Sequence, residues 1–319
     1  MPVTLAQAKL TVQDDLYEQV IDEFRKSNFL IENMVFDDVV SPVGNGATMT
    51  YTYNRVIAQS LADFRVINED YTPQEAEKER FSVDLKPFGG SFEVDRIINS
   101  MGGIVNEVTF QMKQKIKGAS ALFNETAING DSSVNAKAFD GLDKAVSGSD
   151  TEIVPTSAID FSTSAKIDTN YRAFLDILEE FLANLDDTPS FIGGNTRLVT
   201  KIKAIARRAG QYQETKDDFG RNIAMYGNIP IVDFGSKAGS NVAIVPTDAA
   251  SGETSLYAAR FGLDGFHAVS MAGNAPIRAW LPDYNNNADA VQKGAVEMVA
   301  AVVLKSTKAA GILRKIKIA

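Results

Sequence analysis

Alternating hydrophobic and polar positions predict two long strands in the first third of the chain. Tyr51 and Tyr53 alternate with threonines in ATMTYTYNRVIA, and hydrophobic residues alternate in the same way in FSVDLKPF. This period of two, with β-branched and aromatic residues, is typical of a half-buried strand. A polar stretch, residues 59–79, separates the two runs, and a connection of that length is uncommon in a compact domain unless it is functional. The pattern predicts an extended hairpin that has little of its own chain to pack against and lies on another molecule.

The next segment changes to a helical period. SFEVDRIIN reads as a short strand, and after two glycines the apolar residues recur every three or four positions from Ile104 to Phe123. The opposite face carries charged and amide side chains. This arrangement predicts a long helix that lies across a hydrophobic core. The helix leads into FNETAINGDSSVNAKAFDGL, which contains an Asn-Gly-Asp turn and a second Asp-Gly.

Helical and strand patterns alternate in the rest of the chain. A helix is predicted over Tyr171–Leu185 with Asp168 or Asn170 as its cap, and a second over Leu198–Ala206 with Asn195 as cap and Gly210 closing it. Strands are predicted in PSFIGG, IPIVDFG, NVAIVP and TSLYAARFG, and two more in VEMVAAVVLKSTKAAGILRKIKIA. A weakly periodic segment near the amino terminus, residues 5–24, predicts an amphipathic arm or helix. The mixture of elements indicates an α+β protein.

Composition places the chain among globular proteins. It has 319 residues, of which 45% are hydrophobic and 23% charged, values that are ordinary for a soluble domain. No apolar run approaches the roughly 18 residues that a membrane helix needs, and MPVTLAQAKL lacks the layout of a signal peptide. We therefore expect synthesis in the cytoplasm and no membrane partner.

Several classes of chemistry have no support in the sequence. The chain has no cysteine and one histidine, which removes thiolate nucleophiles and cysteine-ligated metals. His267 is expected to be a packed or surface residue and not a catalyst, because catalysis requires a base and an orienting group placed beside it. The net charge of −9 disfavours binding of nucleic acid by the whole surface, and only weak association through the basic segment from Lys201 to Arg208 is expected.

The stretch FNETAINGDSSVNAKAFDGL has three interpretations: a metal loop, a phosphate cradle, or a corner between domains. As a calcium loop it places Asn129 and Asp131 at the first and third ligand positions, but Val134 stands where a glycine is needed and Asp140 where a glutamate is expected. No phosphate-loop motif and no nucleophile elbow occur. IGGNTRLVT is the better candidate for an anion site, at a helix start, but we favour the interpretation that it is a tight strand-to-helix turn whose basic residues solvate the helix and suit its carboxyl end. We expect no catalytic residue, no cofactor and no metal.

The order of these elements resembles the major capsid protein of tailed bacteriophages. The resemblance is carried by the hairpin YTYNRVIA to FSVDLKPF, by SFEVDRIIN and the helix after it, by the corner AINGDSSVNAKAFDGL, and by the closing strands. It implies a tailed-phage capsid fold with an N-terminal arm (1–43), an extended hairpin loop (44–90), a spine-helix peripheral domain (91–142 and 276–319) and a mixed axial domain (143–275). It also makes the corner the point where the chain leaves one domain for the other.

The resemblance implies a structural shell subunit that assembles as pentamers and hexamers around double-stranded DNA. Residues expected in inter-subunit contacts of the hairpin are Tyr51, Tyr53, Arg55, Phe64, Arg65, Tyr71, Glu75 and Lys78. Residues expected at the domain-crossing corner are Asn129, Gly130, Asp131 and Gly141.

The implied partners are further copies of the chain, with a scaffolding protein, a portal, a decoration protein and non-specifically held DNA beside them. The implied location is the virion. About forty residues precede the hairpin in this sequence, fewer than in relatives with a fused scaffold, so we expect that a separate scaffolding protein assists, that such a region has been removed, or that none is needed. The outer part of the hairpin offers only Lys78, so we do not predict a covalent cross-link. Two alternatives stay open: an encapsulin that encloses proteins, and a monomeric hydrolase or binding protein that uses the mixed domain as its pocket.

Overall fold

The computed structural model describes residues 29–41, 48–100, 107–210, 213–216, 222–237, 239–272, 277–284 and 289–319. Its helices are α1 (Phe29–Asn33), α2 (Arg96–Ser100), α3 (Glu107–Asn129), α4 (Leu142–Val146), α5 (Ser164–Ala183) and α6 (Thr196–Ala209), with a 3-10 turn at Thr307–Ala309. Its strands are β1 (Phe36–Val40), β2 (Thr50–Ala58), β3 (Glu77–Asp84), β4 (Lys86–Asp95), β5 (Glu152–Ile153), β6 (Ile159–Asp160), β7 (Phe191–Gly194), β8 (Gln213–Lys216), β9 (Asn222–Tyr226), β10 (Ile229–Asp233), β11 (Glu253–Ala259), β12 (Phe266–Met271), β13 (Ile277–Trp280), β14 (Val291–Leu304) and β15 (Ala310–Lys317).

Within the described ranges the strands form three sheets. β2 and β3 pair with each other alone. A five-stranded sheet has the order β1-β12-β14-β13, with β4 on the other edge of β14. An eight-stranded sheet has the order β5-β15-β11-β7-β10-β9-β8, and β6 also pairs with β15. The fold is therefore α+β, as the sequence predicts.

The longest strand pairing joins β4 and β14. Ten residue pairs run from Val291 opposite Asp95 to Ala300 opposite Lys86 without a shift in register. Phe92 lies opposite Gly294, and a Cβ on this glycine would come within 2.4 Å of the Phe92 ring. The ring therefore covers the space that a side chain on β14 would take.

The described residues form two hydrophobic cores. In the first core, the buried face of α3, including Phe123 and Ile128, packs with the five-stranded sheet and with one face of the eight-stranded sheet. In the second core, α5 and α6 cover the other face of the eight-stranded sheet, with Phe174 and Phe181 among the fully buried residues. The eight-stranded sheet is thus buried on both faces and links the two cores.

Most predicted elements are confirmed. The two hairpin strands, the long helix, the strand PSFIGG and the helix after it lie where the patterns place them. The side chain of Asn195 accepts a hydrogen bond from the amide of Leu198, and Gly210 has a φ of 70° in the left-handed region. The predicted amphipathic segment, residues 5–24, and the first three residues of the predicted helix, which begins at Ile104, lie outside the described residues.

Several predicted boundaries are wrong. FSVDLKPF is divided at Leu85, because the chain passes there from the hairpin into the five-stranded sheet. SFEVDRIIN is a strand only as far as Asp95, whose carboxylate accepts from the amide of Ile97 at 2.7 Å and so begins α2. The long helix continues past Phe123 to Asn129, because buried Ala127 and Ile128 extend its apolar stripe.

Two further predictions for the second half of the chain are wrong. α5 begins earlier than predicted and is capped by Thr163, since Asp168 and Asn170 lie inside the helix. NVAIVP is not a strand, because it makes only one bridge, between Ser236 and Ala243. The two predicted closing strands are confirmed as β14 and β15, and they lie in different sheets: β14 in the five-stranded sheet and β15 in the eight-stranded sheet. The predicted segment 276–319 thus contributes to both sheets.

Candidate assembly surface

The root of the hairpin is fastened to its own chain. The Tyr53 hydroxyl donates to the carbonyl of Leu304 at 3.1 Å. The Arg55 guanidinium donates to the same carbonyl at 3.0 Å and to the carbonyl of Lys305 at 2.8 Å. Arg55 also lies 4.5 Å above the ring of Phe81, its neighbour from β3. These contacts attach both hairpin strands to the end of β14.

Tyr51 extends this attachment into the first core. Its side chain is buried, and its hydroxyl donates to the Asp37 carboxylate at 2.9 Å. The Lys305 ammonium lies 5.4 Å from the centre of its ring. Burial raises the pKa of Tyr51 above its ordinary value, so the phenol stays protonated and keeps donating. The prediction that the hairpin has little of its own chain to pack against is therefore wrong for the root.

The tip of the hairpin, residues 59–76, has its own hydrogen bonds. The Gln74 side chain accepts from the amide of Leu61 at 3.0 Å and donates to Asp63 at 3.0 Å. The Arg65 guanidinium donates to the carbonyl of Glu69 at 3.2 Å and lies 5.3 Å from the Tyr71 ring centre. These bonds join the two sides of the tip and give it a defined shape.

The tip exposes apolar side chains. Phe64 is fully exposed, Ile67 is 85% exposed, and Leu61, Val66 and Tyr71 are also exposed. Glu75 and Lys78 are exposed as well. Sequence reasoning missed Leu61, Val66 and Ile67, because the acidic residues around them made the whole segment appear polar. Their signal was the FRVI run, which is too apolar for an ordinary solvated loop.

The predicted assembly residues therefore fall into two groups. Tyr51, Tyr53 and Arg55 make contacts within the chain, whereas Phe64, Arg65, Tyr71, Glu75 and Lys78 lie on the exposed outer part of the hairpin. The tip carries four carboxylates, Asp63, Glu69, Asp70 and Glu75, against the single guanidinium of Arg65. It is an acidic surface with apolar side chains at its centre.

The corner after α3 is closed by two glycines. The amide of Gly130 donates to the carbonyl of Thr126, and the amide of Gly141 donates to the carbonyl of Gly130, both at 2.8 Å. A Cβ on Gly141 would lie 2.5 Å from the Thr126 oxygen and 2.6 Å from the Gly130 nitrogen. Only glycine fits this crossing of the two backbone segments.

The carboxylates of the corner are matched by a lysine. The Lys144 ammonium lies 2.7 Å from Asp131 and 3.0 Å from Asp140. Together with hydrogen bonds from Ser133, it lowers the pKa of Asp131 to about 2. Asn129 donates to the carbonyl of Ile244 at 2.6 Å. In the described ranges no group of three or more acidic or histidine side chains is arranged to hold a metal, and the geometry agrees best with a structural corner.

A groove lies between β4 and α3 on the outer side of the first core. It has a volume of about 350 Å³. Gly89 and Gly90 line one side, and Gln111, Lys115 and Leu122 line the other. Lys117 also contributes to its wall. The groove combines backbone and apolar surface with positive charge, which is the opposite of the charge of the hairpin tip.

The basic helix α6 is engaged in contacts within the chain. The start of the helix is occupied by the buried side chain of Asn195, which also donates to Thr247 and Thr254 at 3.1 Å. Arg208 pairs with Asp168 at 2.5 Å, and Lys201 donates to the carbonyl of Ser162 at 3.4 Å. The cap occupies the amide of Leu198, which an anion at the helix start would need, so the turn interpretation of IGGNTRLVT agrees with the structure. No helix among the described residues has the length and apolar character to cross a membrane.

Comparison with known proteins identifies the fold and leaves the sequence without a match. No protein-family model matches the chain, and no curated protein sequence matches it. Among solved structures, the holo-SrpI encapsulin complex from Synechococcus elongatus PCC 7942 aligns with a TM-score of 0.67 at 13% identity, over 99% of this chain and 97% of that chain.

Capsid structures align over nearly the full length as well. The capsid of a native GTA particle aligns with a TM-score of 0.68 at 11% identity, over 98% of this chain and 97% of that one. The capsid of the Myoviridae phage XM1 aligns with a TM-score of 0.61 at 9% identity, over 98% and 99%. The resemblance stated from the sequence is confirmed: this chain has the fold that tailed-phage capsid proteins share with encapsulins.

Proposed function

We propose that the chain is the structural subunit of an icosahedral shell, the major capsid protein of a tailed phage, and that it assembles as pentamers and hexamers around double-stranded DNA. The observation that carries this proposal is the hairpin. Its root is fixed to its own chain, while its tip holds Phe64 and Ile67 in solvent. A monomer gains nothing from this exposure, whereas an assembling subunit buries the tip against a neighbour.

The tip fits the groove between β4 and α3 of a second copy. Four carboxylates against one guanidinium make the tip acidic, and Lys115 and Lys117 line the groove. Opposite charges steer the encounter and fix its register, while burial of the exposed apolar side chains supplies the driving force at about 25 cal/mol per Å². The tip of one chain and the groove of the next form a head-to-tail contact, which closes into rings.

The finer features of this function follow from the same surface. We expect the subunit to be structural and to need no catalytic residue or cofactor; two of the corner carboxylates that a metal would need are paired with Lys144. DNA is held weakly, because the net charge is −9 and the basic residues Lys201 and Arg208 of α6 have partners within the chain. We expect synthesis in the bacterial cytoplasm, residence in the virion, and a scaffolding protein, a portal and a decoration protein as further partners.

A shell that encloses proteins is the second candidate. The encapsulin complex aligns over nearly the whole chain with a TM-score that differs by 0.01 from that of the GTA capsid, 0.67 against 0.68. The content of purified particles separates the two functions. Nuclease-protected DNA identifies a capsid, and a stoichiometric internal protein identifies an encapsulin.

The assembly test replaces apolar tip residues. We expect Phe64→Ser with Ile67→Ser to leave the subunit folded and to stop shell formation, as seen by sedimentation and electron microscopy. Val134→Ser is the matched control, because Val134 is also 85% exposed but lies on the corner. If the double variant forms normal shells, the apolar tip residues are not needed for assembly. If the wild-type chain stays monomeric, the proposal that it is a shell subunit is wrong.

The receiving groove is tested on α3. Lys115→Glu reverses a charge in the groove wall, whereas Lys113→Glu changes a residue of the same helix outside it. We expect Lys115→Glu to impair assembly and Lys113→Glu to leave it unchanged. Adding Asp63→Lys and Glu69→Lys in the tip of the Lys115→Glu chain should restore assembly. If the two lysine variants assemble equally well, the tip docks elsewhere.

A further inference from the structure

The single histidine of the chain is buried beneath the hairpin root. His267 lies on β12 and is fully buried. Its Nδ1 lies 3.4 Å from the carbonyl of Gly265, and its Nε2 has no hydrogen-bond partner within the described part of the chain. A buried polar atom without a partner costs free energy. The neutral ring loses one hydrogen bond here, and a protonated ring would carry an unsatisfied N–H as well as a buried charge.

The groups facing His267 come from four elements. The ring of Tyr51, from β2, meets the imidazole edge-on with centroids 6.0 Å apart. Lys305 at the end of β14 carries a positive charge, while Asp37 on β1 and Asp264 before β12 carry negative charges that act on the ring.

Burial is the strongest influence on the imidazole and Lys305 the next, and both lower the pKa of His267 below its ordinary value. The hydrogen bond to Gly265 and the two aspartates act in the opposite direction. At neutral pH the ring is therefore uncharged and packs as an aromatic group under Tyr51.

We propose that His267 is a proton-sensitive latch for the hairpin root: its neutral ring holds Tyr51 in place, and one proton taken up in acid releases the root while the second core stays folded. A charged ring has to reach water or move away from Lys305. β1 and β14 pair with β12 along its two edges, and Tyr51 is the hairpin-root side chain that packs against the ring, so movement of the charged ring displaces Tyr51. The latch lies within one chain, so it does not depend on whether chains assemble.

The sign of the pH dependence follows from the lowered pKa. An unfolded histidine takes up its proton near pH 6.5, while the folded His267 remains neutral. As the pH falls below that value, the unfolded or released state binds a proton that the native state does not, so native stability falls. One such group lowers the ratio of native to released chain by at most about tenfold per pH unit. Carboxylates titrate mainly below pH 5, so the interval from pH 6.5 to 5 reports His267.

The first experiment compares the full chain with His267→Asn, a neutral variant that retains a donor near Gly265. Unfolding midpoints in urea are measured from pH 7.5 to 5. We expect the wild-type folding constant to fall more steeply with acid than that of the variant, and parallel curves would overturn the latch. Should the variant fail to fold, ring-labelled wild-type protein gives the answer by NMR. A native imidazole that stays neutral below pH 6.5 supports the proposal, and one that titrates at or above 6.5 refutes it.

The second experiment locates the release. Hydrogen exchange at pH 7 and pH 5, corrected for intrinsic rates, is followed in β2 and β3 and in the helices α5 and α6. We expect acid to reduce protection in β2 and β3 at least several-fold more than in the helices, and only in chains with His267. An equal loss in both regions, or the same loss in His267→Asn, would mean that the hairpin root is not what the proton releases.

Discussion

Removal of the Arg55 guanidinium measures how firmly the hairpin root is held. Arg55→Ala loses charged hydrogen bonds to the carbonyls of Lys305 at 2.8 Å and Leu304 at 3.0 Å. Hydrogen bonds of this type contribute about 1.5–3 kcal/mol when they are buried, and the contact with Phe81 at 4.5 Å adds about 0.5–1 kcal/mol. The loss is smaller than this sum, because Arg55 is only half-buried and the Leu304 carbonyl still accepts a hydrogen bond from the Tyr53 hydroxyl in the variant. We therefore expect a loss of about 2–3 kcal/mol.

Arg65→Ala is the matched control on the same hairpin. Arg65 also binds a carbonyl and lies over an aromatic ring, Tyr71, but both partners are exposed and belong to the tip. Its loss should cost about 0.5 kcal/mol or less. Both variants are measured by equilibrium unfolding in urea in a Phe64→Ser background, so that association of chains does not contribute to the stability.

The comparison has a clear contrary outcome. If Arg55→Ala costs less than about 0.5 kcal/mol, or if the two arginine variants cost the same, the root is not anchored to β14 in solution. A lower slope of the unfolding free energy against urea would instead show that Arg55→Ala releases the hairpin before global unfolding.

Three further outcomes follow from the corner and the cores. Gly141→Ala should lower the unfolding free energy by several kcal/mol, because its Cβ meets backbone atoms at 2.5 and 2.6 Å. The control is Gly118→Ala in α3, whose Cβ meets nothing within 4 Å and which should raise the unfolding free energy by about 0.5–1 kcal/mol. Unfolding in urea measures both variants. Lys144→Met should raise the pKa of Asp131 from about 2 towards its ordinary value, as NMR titration of the carboxyl would show. In the wild type, the stabilisation from Asp131 is present above about pH 4 and is lost as the pH falls towards 2. If the pKa of Asp131 in Lys144→Met equals its pKa in the wild type, Lys144 does not pair with Asp131 in solution. Phe174→Ala should cost about 3–5 kcal/mol, because Phe174 is fully buried in the second core, and a midpoint equal to that of the wild type would contradict this packing.

Local signals in the sequence are sufficient for the elements whose partners are close along the chain. The period of α3, the cap at Asn195 and the left-handed Gly210 depend on side chains within a few residues, and the structure confirms them. The alternation around Tyr51 and Tyr53 likewise predicts β2, because a half-buried strand shows its period directly.

Contacts between residues far apart in the sequence cannot be predicted from these local patterns. Nothing near Arg55 in the sequence indicates that its partners are the carbonyls of residues about 250 positions later. The break at Leu85 is set by the pairing of β4 with β14, and the apolar alternation continues through it. NVAIVP has strand composition, yet its buried Ile244 and Val245 pack into the first core without a strand partner along their length. Tertiary packing overrides strand propensity at these places.

The ladder between β4 and β14 also determines how the subunit responds to force. Ten residue pairs without a register shift span about 30 Å at roughly 3.3 Å per residue. A force along the strands shears the ladder and loads all of its hydrogen bonds at once, whereas a force across the strands breaks the bonds one after another. Tension directed along β14 is therefore shared by the hydrogen bonds of all ten pairs. Under load we expect the hairpin tip to deform first, because few bonds attach it to the rest of the chain, while the β4–β14 pair keeps its length.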